Sequence, residues 1–148
     1  MHPIPVSPTA TVFSWPIRVY WEDTDAGGIV FYANYLKYFE RARTEWLRQL
    51  GLEQRDLLES TGCIFVVSEA NIKYLRPARL DDRLLVTAQL CEMGRSSFTI
   101  RQEAHLQQQA CNESNSLLCS GSVRIGWINQ QTMKPTRIPT LIHDALNR

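Results

Sequence analysis

Apolar positions recur at helical spacing between residues 33 and 50. Phe39, Ala42, Trp46 and Leu50 share one stripe, widened by Tyr35, Leu36 and Leu47, while Glu40, Arg41, Arg43, Glu45 and Arg48 take most of the other side. This pattern predicts a single long amphipathic helix. Gly51 follows the last apolar residue, as a helix stop should. A shorter helix is predicted over residues 53–60, ending at Gly62, and a closing helix over 139–147. Before the long helix, residues 15–22 read as a strand, with Pro16 tolerable near its start. After it the period changes to two. Ile64, Val66, Ser68, Ala70 and Ile72 alternate with Phe65, Val67, Glu69, Asn71 and Lys73; Leu84, Val86, Ala88 and Leu90 make a second face; Phe98, Ile100, Ala104 and Leu106 a third; Val123, Ile125 and Trp127 a fourth.

The breaks between these strands are short: a corner at residues 77–82, a turn at 94–97 and a polar stretch at 112–116. Short links between neighbouring strands favour an antiparallel sheet. The chain is therefore expected to be α+β, with the long helix burying its stripe against a sheet that twists around it. Apolar residues on the second sheet face, such as Phe65, Val67 and Leu85, predict a homo-oligomer in which sheets or edges pair.

The length of 148 residues suits one domain with one core. The first fourteen residues hold three prolines, no lysine or arginine and no long apolar run. They read as a flexible arm, residues 1–14, ahead of a single domain over 15–148. No stretch approaches the roughly 20 apolar residues of a spanning helix, so a cytoplasmic protein with no integral membrane segment is expected. The net charge of +1 gives no ground for a nucleic-acid partner. Cys63, Cys91, Cys111 and Cys119 include no C-x-x-C pair and read as thiols in a reducing compartment. His2, His105 and His143 form no recognised zinc spacing with them, so no metal is expected.

Candidate chemistry lies in residues 20–34, where Glu22, Asp23 and Asp25 precede Gly27 and Gly28, and the helix follows. A carboxylate beside flexible backbone and the unpaired N–H groups of a helix start could serve acyl transfer. The same residues could instead make a plain turn. A cation site is weaker, because adjacent carboxylates on a strand point to opposite faces.

The stretch from Val19 through Tyr-Trp-Glu-Asp-Thr-Asp-Ala-Gly-Gly-Ile-Val-Phe-Tyr-Ala-Asn and on to Glu-Arg-Ala-Arg-Thr-Glu-Trp-Leu resembles the signature of the hotdog-fold thioesterases of the 4-hydroxybenzoyl-CoA thioesterase type. Within that family it resembles the acyl-CoA thioesterases encoded beside the bacterial Tol–Pal system. Lys73-Tyr-Leu-Arg-Pro-Ala-Arg-Leu-Asp-Asp and Gly94-Arg-Ser-Ser-Phe also match the family's habits. The resemblance implies a central helix wrapped by a curved, five-stranded antiparallel sheet. It implies hydrolysis of acyl-CoA thioesters with no cofactor, by a tetramer built as a dimer of dimers.

Position by position, the resemblance makes Asp25 the catalytic carboxylate, as nucleophile or general base. It makes the Tyr32 backbone N–H the group that polarises the thioester carbonyl. Some relatives carry histidine at the Tyr32 position, but a phenol ionising near pH 10 is no neutral-pH base, which leaves the main chain as the working part of residue 32. Gly28 belongs to the same turn, and Tyr35 could line an acyl pocket. Arg95 and Ser96, in a turn between strands, are the candidates for the nucleotide phosphates, with Arg124 next. A hotdog hydratase would need a histidine near the central helix, and none lies there. The remaining alternative is a module that binds acyl carrier protein or associates with the envelope, with little catalytic activity.

Overall fold

The computed structural model describes residues 4–5, 11–107 and 116–148. Its elements run β1 (Ile4–Pro5), β2 (Phe13–Arg18), a 3-10 turn (Trp21–Asp23), α1 (Asn34–Gln49), α2 (Gln54–Thr61), β3 (Cys63–Tyr74), β4 (Arg83–Met93), β5 (Ser97–Leu106), β6 (Leu117–Asn129) and α3 (Thr140–Leu146). Five long strands, antiparallel throughout, form one sheet in the order β2-β4-β5-β6-β3, and the two-residue β1 also pairs with β4. This is the hotdog arrangement that the resemblance implies. The turn expected over residues 112–116, along with Cys111 and His2, lies outside the described residues, apart from Ser116 itself.

The helix is held by its stripe. Tyr35, Tyr38, Phe39, Ala42, Trp46 and Leu47 are buried against Leu84, Val86, Ala88 and Leu90 of β4, Phe98, Ile100 and Ala104 of β5, and Val123, Ile125 and Trp127 of β6. Leu36 departs from the expected stripe and is exposed. Arg43 also departs from expectation. It is half-buried, and its guanidinium donates to Oε1 of the fully buried Gln102 at 3.1 Å. Gln102 in turn donates to the carbonyls of Phe39 (3.0 Å) and Thr87 (3.2 Å). One polar side chain thus ties α1 to β4 and β5, as buried polar atoms require.

Two strand expectations are corrected. The first strand begins at Phe13 and ends at Arg18, not at 22. Asp23 ends it early: its Oδ2 accepts the Tyr20 N–H at 2.8 Å, while its own N–H donates to the Tyr20 carbonyl at 3.0 Å. A side chain that competes for backbone partners in this way curls the chain. In β3 a bulge between Val67 and Glu69 shifts the alternation. Phe65 and Val67 stand opposite the buried Trp127 and Ile125, and beyond the bulge Ala70 stands opposite the buried Val123. Residues directly opposite share a face, so Phe65 and Val67 point inward, not to the second face. Phe65 packs at a tilt against Trp127, with ring centres 4.7 Å apart, and edge-to-face against Phe98 at 5.6 Å.

Candidate active site

The acidic segment becomes a compact loop because each of its parts finds a local partner. Thr24 and Val30 form an antiparallel bridge, and the Asp25 N–H donates to the Ile29 carbonyl at 2.9 Å. The Gly28 N–H returns to the Asp25 carbonyl at 3.0 Å, with Gly28 at φ 77, a conformation that favours glycine. The Gly27 N–H donates to Asp25 Oδ1 at 2.8 Å. A Cβ at Gly27 would itself sit 3.2 Å from that oxygen. One carboxylate oxygen of the exposed Asp25 is therefore oriented by the main chain, while Oδ2 takes no hydrogen bond among the described residues.

The loop then enters α1. The Val30 N–H donates to the Ala78 carbonyl at 2.9 Å, and the Phe31 N–H to the Asp23 carbonyl at 3.0 Å. The same Asp23 oxygen accepts Asn34 Nδ2 at 2.8 Å. Among the described residues, the N–H groups of Tyr32 and Ala33 meet no acceptor. They sit at the positive end of the helix dipole, where an oxyanion is favoured. The Tyr32 side chain is exposed and meets Phe31 (4.9 Å) and Tyr74 (5.9 Å). Tyr35 is buried; its hydroxyl accepts the Ala78 N–H at 3.0 Å, and burial pushes its phenol above the ordinary range. It packs on Tyr38 and Tyr74 as part of the core.

The structure brings Asp25, Gly28 and Tyr32 into one loop. The other candidates lie elsewhere in the chain. Ser96 and Arg124 line an open groove of ≈ 530 Å³ with Ser68, Glu69 and Ser97. Arg95 is exposed in the β4–β5 turn, and its carbonyl accepts the Ile138 N–H at 2.8 Å. Tyr74, which touches Tyr32, lies six residues along β3 from Ser68. At the rise of a strand that separation is roughly 20 Å. A second opening, of ≈ 270 Å³, lies between α1 and the sheet, where Trp46, Leu47, Phe65, Val67, Phe98 and Ile125 meet Glu40, Arg43 and Gln54.

Sequence reasoning missed Asp23, Asn34 and Ala78 as supports of the loop. Asp23 was visible in the Asp-x-Asp pair, but its 5% exposure could not be read from the pattern. Asn34 reaches back eleven residues, and Ala78 acts through its main chain, so neither carries a local signal. Among the described residues no group of three or more His, Cys, Asp or Glu side chains could hold a metal, and no helix is long and apolar enough to cross a membrane.

Comparison with known proteins gives a consistent result. The profile of the thioesterase superfamily matches residues 27–112. The acyl-CoA thioesterase YbgC of Haemophilus influenzae is 38% identical over 135 residues, covering 91% of this chain and 94% of that protein. The acyl-CoA thioester hydrolase YbgC of Escherichia coli is 39% identical over 132 residues, covering 89% and 93%. The crystal structure of a 1,4-dihydroxy-2-naphthoyl-CoA thioesterase from Synechocystis superimposes with a TM-score of 0.80 at 24% identity, over 92% of this chain and 96% of that one, a likeness of fold.

Proposed function

We propose that this chain, which belongs to the thioesterase superfamily and is a thioester hydrolase, acts on acyl-CoA thioesters through Asp25 and the Tyr32 amide. The observation that carries this assignment is the loop itself: a carboxylate with one oxygen held by Gly27 and the other without a partner among the described residues, followed by an amide at the start of α1 that likewise meets no acceptor among them. Asp25 either attacks the thioester carbonyl, forming an anhydride that water opens, or takes a proton from the attacking water. The Tyr32 N–H holds the oxygen on which negative charge develops. Coenzyme A departs as a thiolate and needs little acid assistance.

Asp25→Asn keeps the Gly27 contact and removes the charge. Its kcat is expected to fall on the order of 10³-fold, with thermal stability unchanged, in a thiol-release assay over a panel of acyl-CoA chain lengths. Near-normal turnover by that variant would remove Asp25 from the chemistry. Solvent-oxygen labelling of Asp25 in a single turnover separates attack from base catalysis.

The active form is a homo-oligomer. β3 is the outermost strand of the sheet, and Val67–Lys73 is exposed along it apart from Ile72. Near one end of β3 the exposed aromatics Trp21, Phe31, Tyr32 and Tyr74 surround the loop. Antiparallel pairing of two β3 edges about the bulge would bring the Tyr74 end of one copy to the Phe65 end of the other. The Asp25 loop of one copy would then face the Trp46–Phe65–Phe98 opening of its partner, which supplies an apolar acyl site. Two such dimers make the tetramer. Arg95, Ser96 and Arg124 offer cationic and hydroxyl groups for the nucleotide phosphates. A cytosolic setting, where acyl-CoA and acyl carrier protein occur, suits the free thiols of Cys63, Cys91 and Cys119.

A further inference from the structure

The stretch from Val30 to Tyr35 is tied at both ends, and among the described residues only the N–H groups of its two middle residues lack a partner. Val30 and Tyr35 are both bonded to Ala78, one through its carbonyl and the other through its N–H. Phe31 and Asn34 are both bonded to a single atom, the Asp23 carbonyl oxygen. Tyr32 and Ala33 lie between these ties. An exposed peptide without such ties can rotate at little cost, and its N–H then has no fixed direction. Here the Phe31–Tyr32 peptide is fixed on its N-terminal side by the Phe31 N–H. Its own carbonyl accepts the Asn34 main-chain N–H at 2.8 Å, and Asn34 is in turn held in place by its side-chain bond to Asp23. A carbonyl oxygen accepts two hydrogen bonds, so Asp23 is fully engaged.

Asp23 can hold this position because it is itself fixed. Its carboxylate is buried and accepts the Tyr20 N–H, and its N–H closes the turn on the Tyr20 carbonyl. A helix start needs a side-chain acceptor for its own N–H groups, usually at the N-cap. Asn34 does something different: it donates away from the helix, leaving the Tyr32 and Ala33 amides unfilled. The N-cap is Ala33, which has no side-chain acceptor. A cap that satisfied those amides would stabilise the helix and block the oxyanion position.

We propose that Asn34, through its bond to the Asp23 carbonyl, is a positioning residue that aims the Tyr32 amide at the reacting oxygen. This rests on the assignment of Asp25 and Tyr32 given above. Asn34 touches no substrate; it sets the direction of the group that does. Its loss costs transition-state stabilisation and leaves ground-state binding alone.

The test compares Asn34→Ala and the isosteric Asn34→Asp, which lacks the donor, with wild type and Asp25→Asn. In folded Asn34→Ala, kcat falls about 10- to 100-fold, as for a slightly misplaced or weakened oxyanion donor, and KM stays within about two-fold. Affinity for a trifluoromethyl-ketone analogue of the acyl-CoA, whose hydrate mimics the tetrahedral state, falls by the same factor, while affinity for free coenzyme A does not change. Asn34→Asp gives the same split, so the result does not depend on one variant's folding. Turnover lost in Asp25→Asn but intact in both folded Asn34 variants overturns this inference alone. A loss of kcat without loss of ketone affinity also overturns it, leaving Asn34 a purely structural residue. Turnover that survives Asp25→Asn overturns the assignment of the centre and this inference with it.

Discussion

Gln102 carries three hydrogen bonds with no exposed surface, so its side chain is where single-residue energetics are sharpest. Gln102→Ala leaves the Arg43 guanidinium half-buried without its acceptor. Burial already lowers the Arg43 pKa, a sign that its charge is held at a cost. The loss is expected to be about 3 kcal/mol, since each stranded buried polar group costs about 1–3 kcal/mol. In a chain of this size 1 kcal/mol moves Tm by about 3 °C, so calorimetry should register a drop of about 10 °C. The resemblance pointed to Asp25, the proposed catalytic carboxylate, at this scale because it lies in a short, specific motif. Gln102 and Asn34 were hidden because their partners are 59 and 11 residues away. Tyr38 was hidden for a related reason: burial and then the Asp23 carboxylate, fifteen residues away in the chain, push its phenol well above the ordinary range.

At the scale of elements, periodicity located all three helices to within about two residues, because each is amphipathic or capped by a recognisable stop. Gly62, at φ 73, terminates α2 in the left-handed conformation that glycine permits. Strand ends were less legible. Asp23 folded one strand's end into a turn, and the β3 bulge reversed which side chains face the core. Alternation marks a strand but not an interruption of its phase. The β3–β6 pairing also depends on Gly121, where an added Cβ would lie 2.4 Å from the Asn71 carbonyl oxygen and 3.1 Å from the Ile72 side chain. The obstacle is main chain, which cannot swing aside. Gly121→Ala should therefore push β3 from β6 and destabilise the protein by at least about 2 kcal/mol. Hydrogen exchange should show lost protection over β3 and β6, with α1 largely unchanged.

At the scale of the whole molecule, the fold class followed from one helix and a run of strands, since only the sheet could cover the helix stripe. The separation of the Asp25 loop from the Ser96–Arg124 groove was not legible, because it arises from strand register. The proposed β3 pairing gives that separation a use and makes a prediction. Asn71→Lys, at an exposed β3 position that lines neither opening, places charges of like sign near the pairing line, where they oppose association. Light scattering should find a monomer whose circular dichroism matches wild type, and kcat/KM should fall at least about ten-fold, since the acyl site is shared. A stable wild-type monomer with full activity would refute the shared site. The two borders of the sheet also differ. Beyond β4 the chain places Pro5 and Pro16 in β1 and β2, residues with no N–H to offer a newcomer. β3 contains no proline, and no described strand pairs with its outer border. Strand addition about a two-fold axis consumes the open border of both participants at once. Growth by this route ends at two copies, so the molecule can leave a long strand uncovered without seeding a fibre.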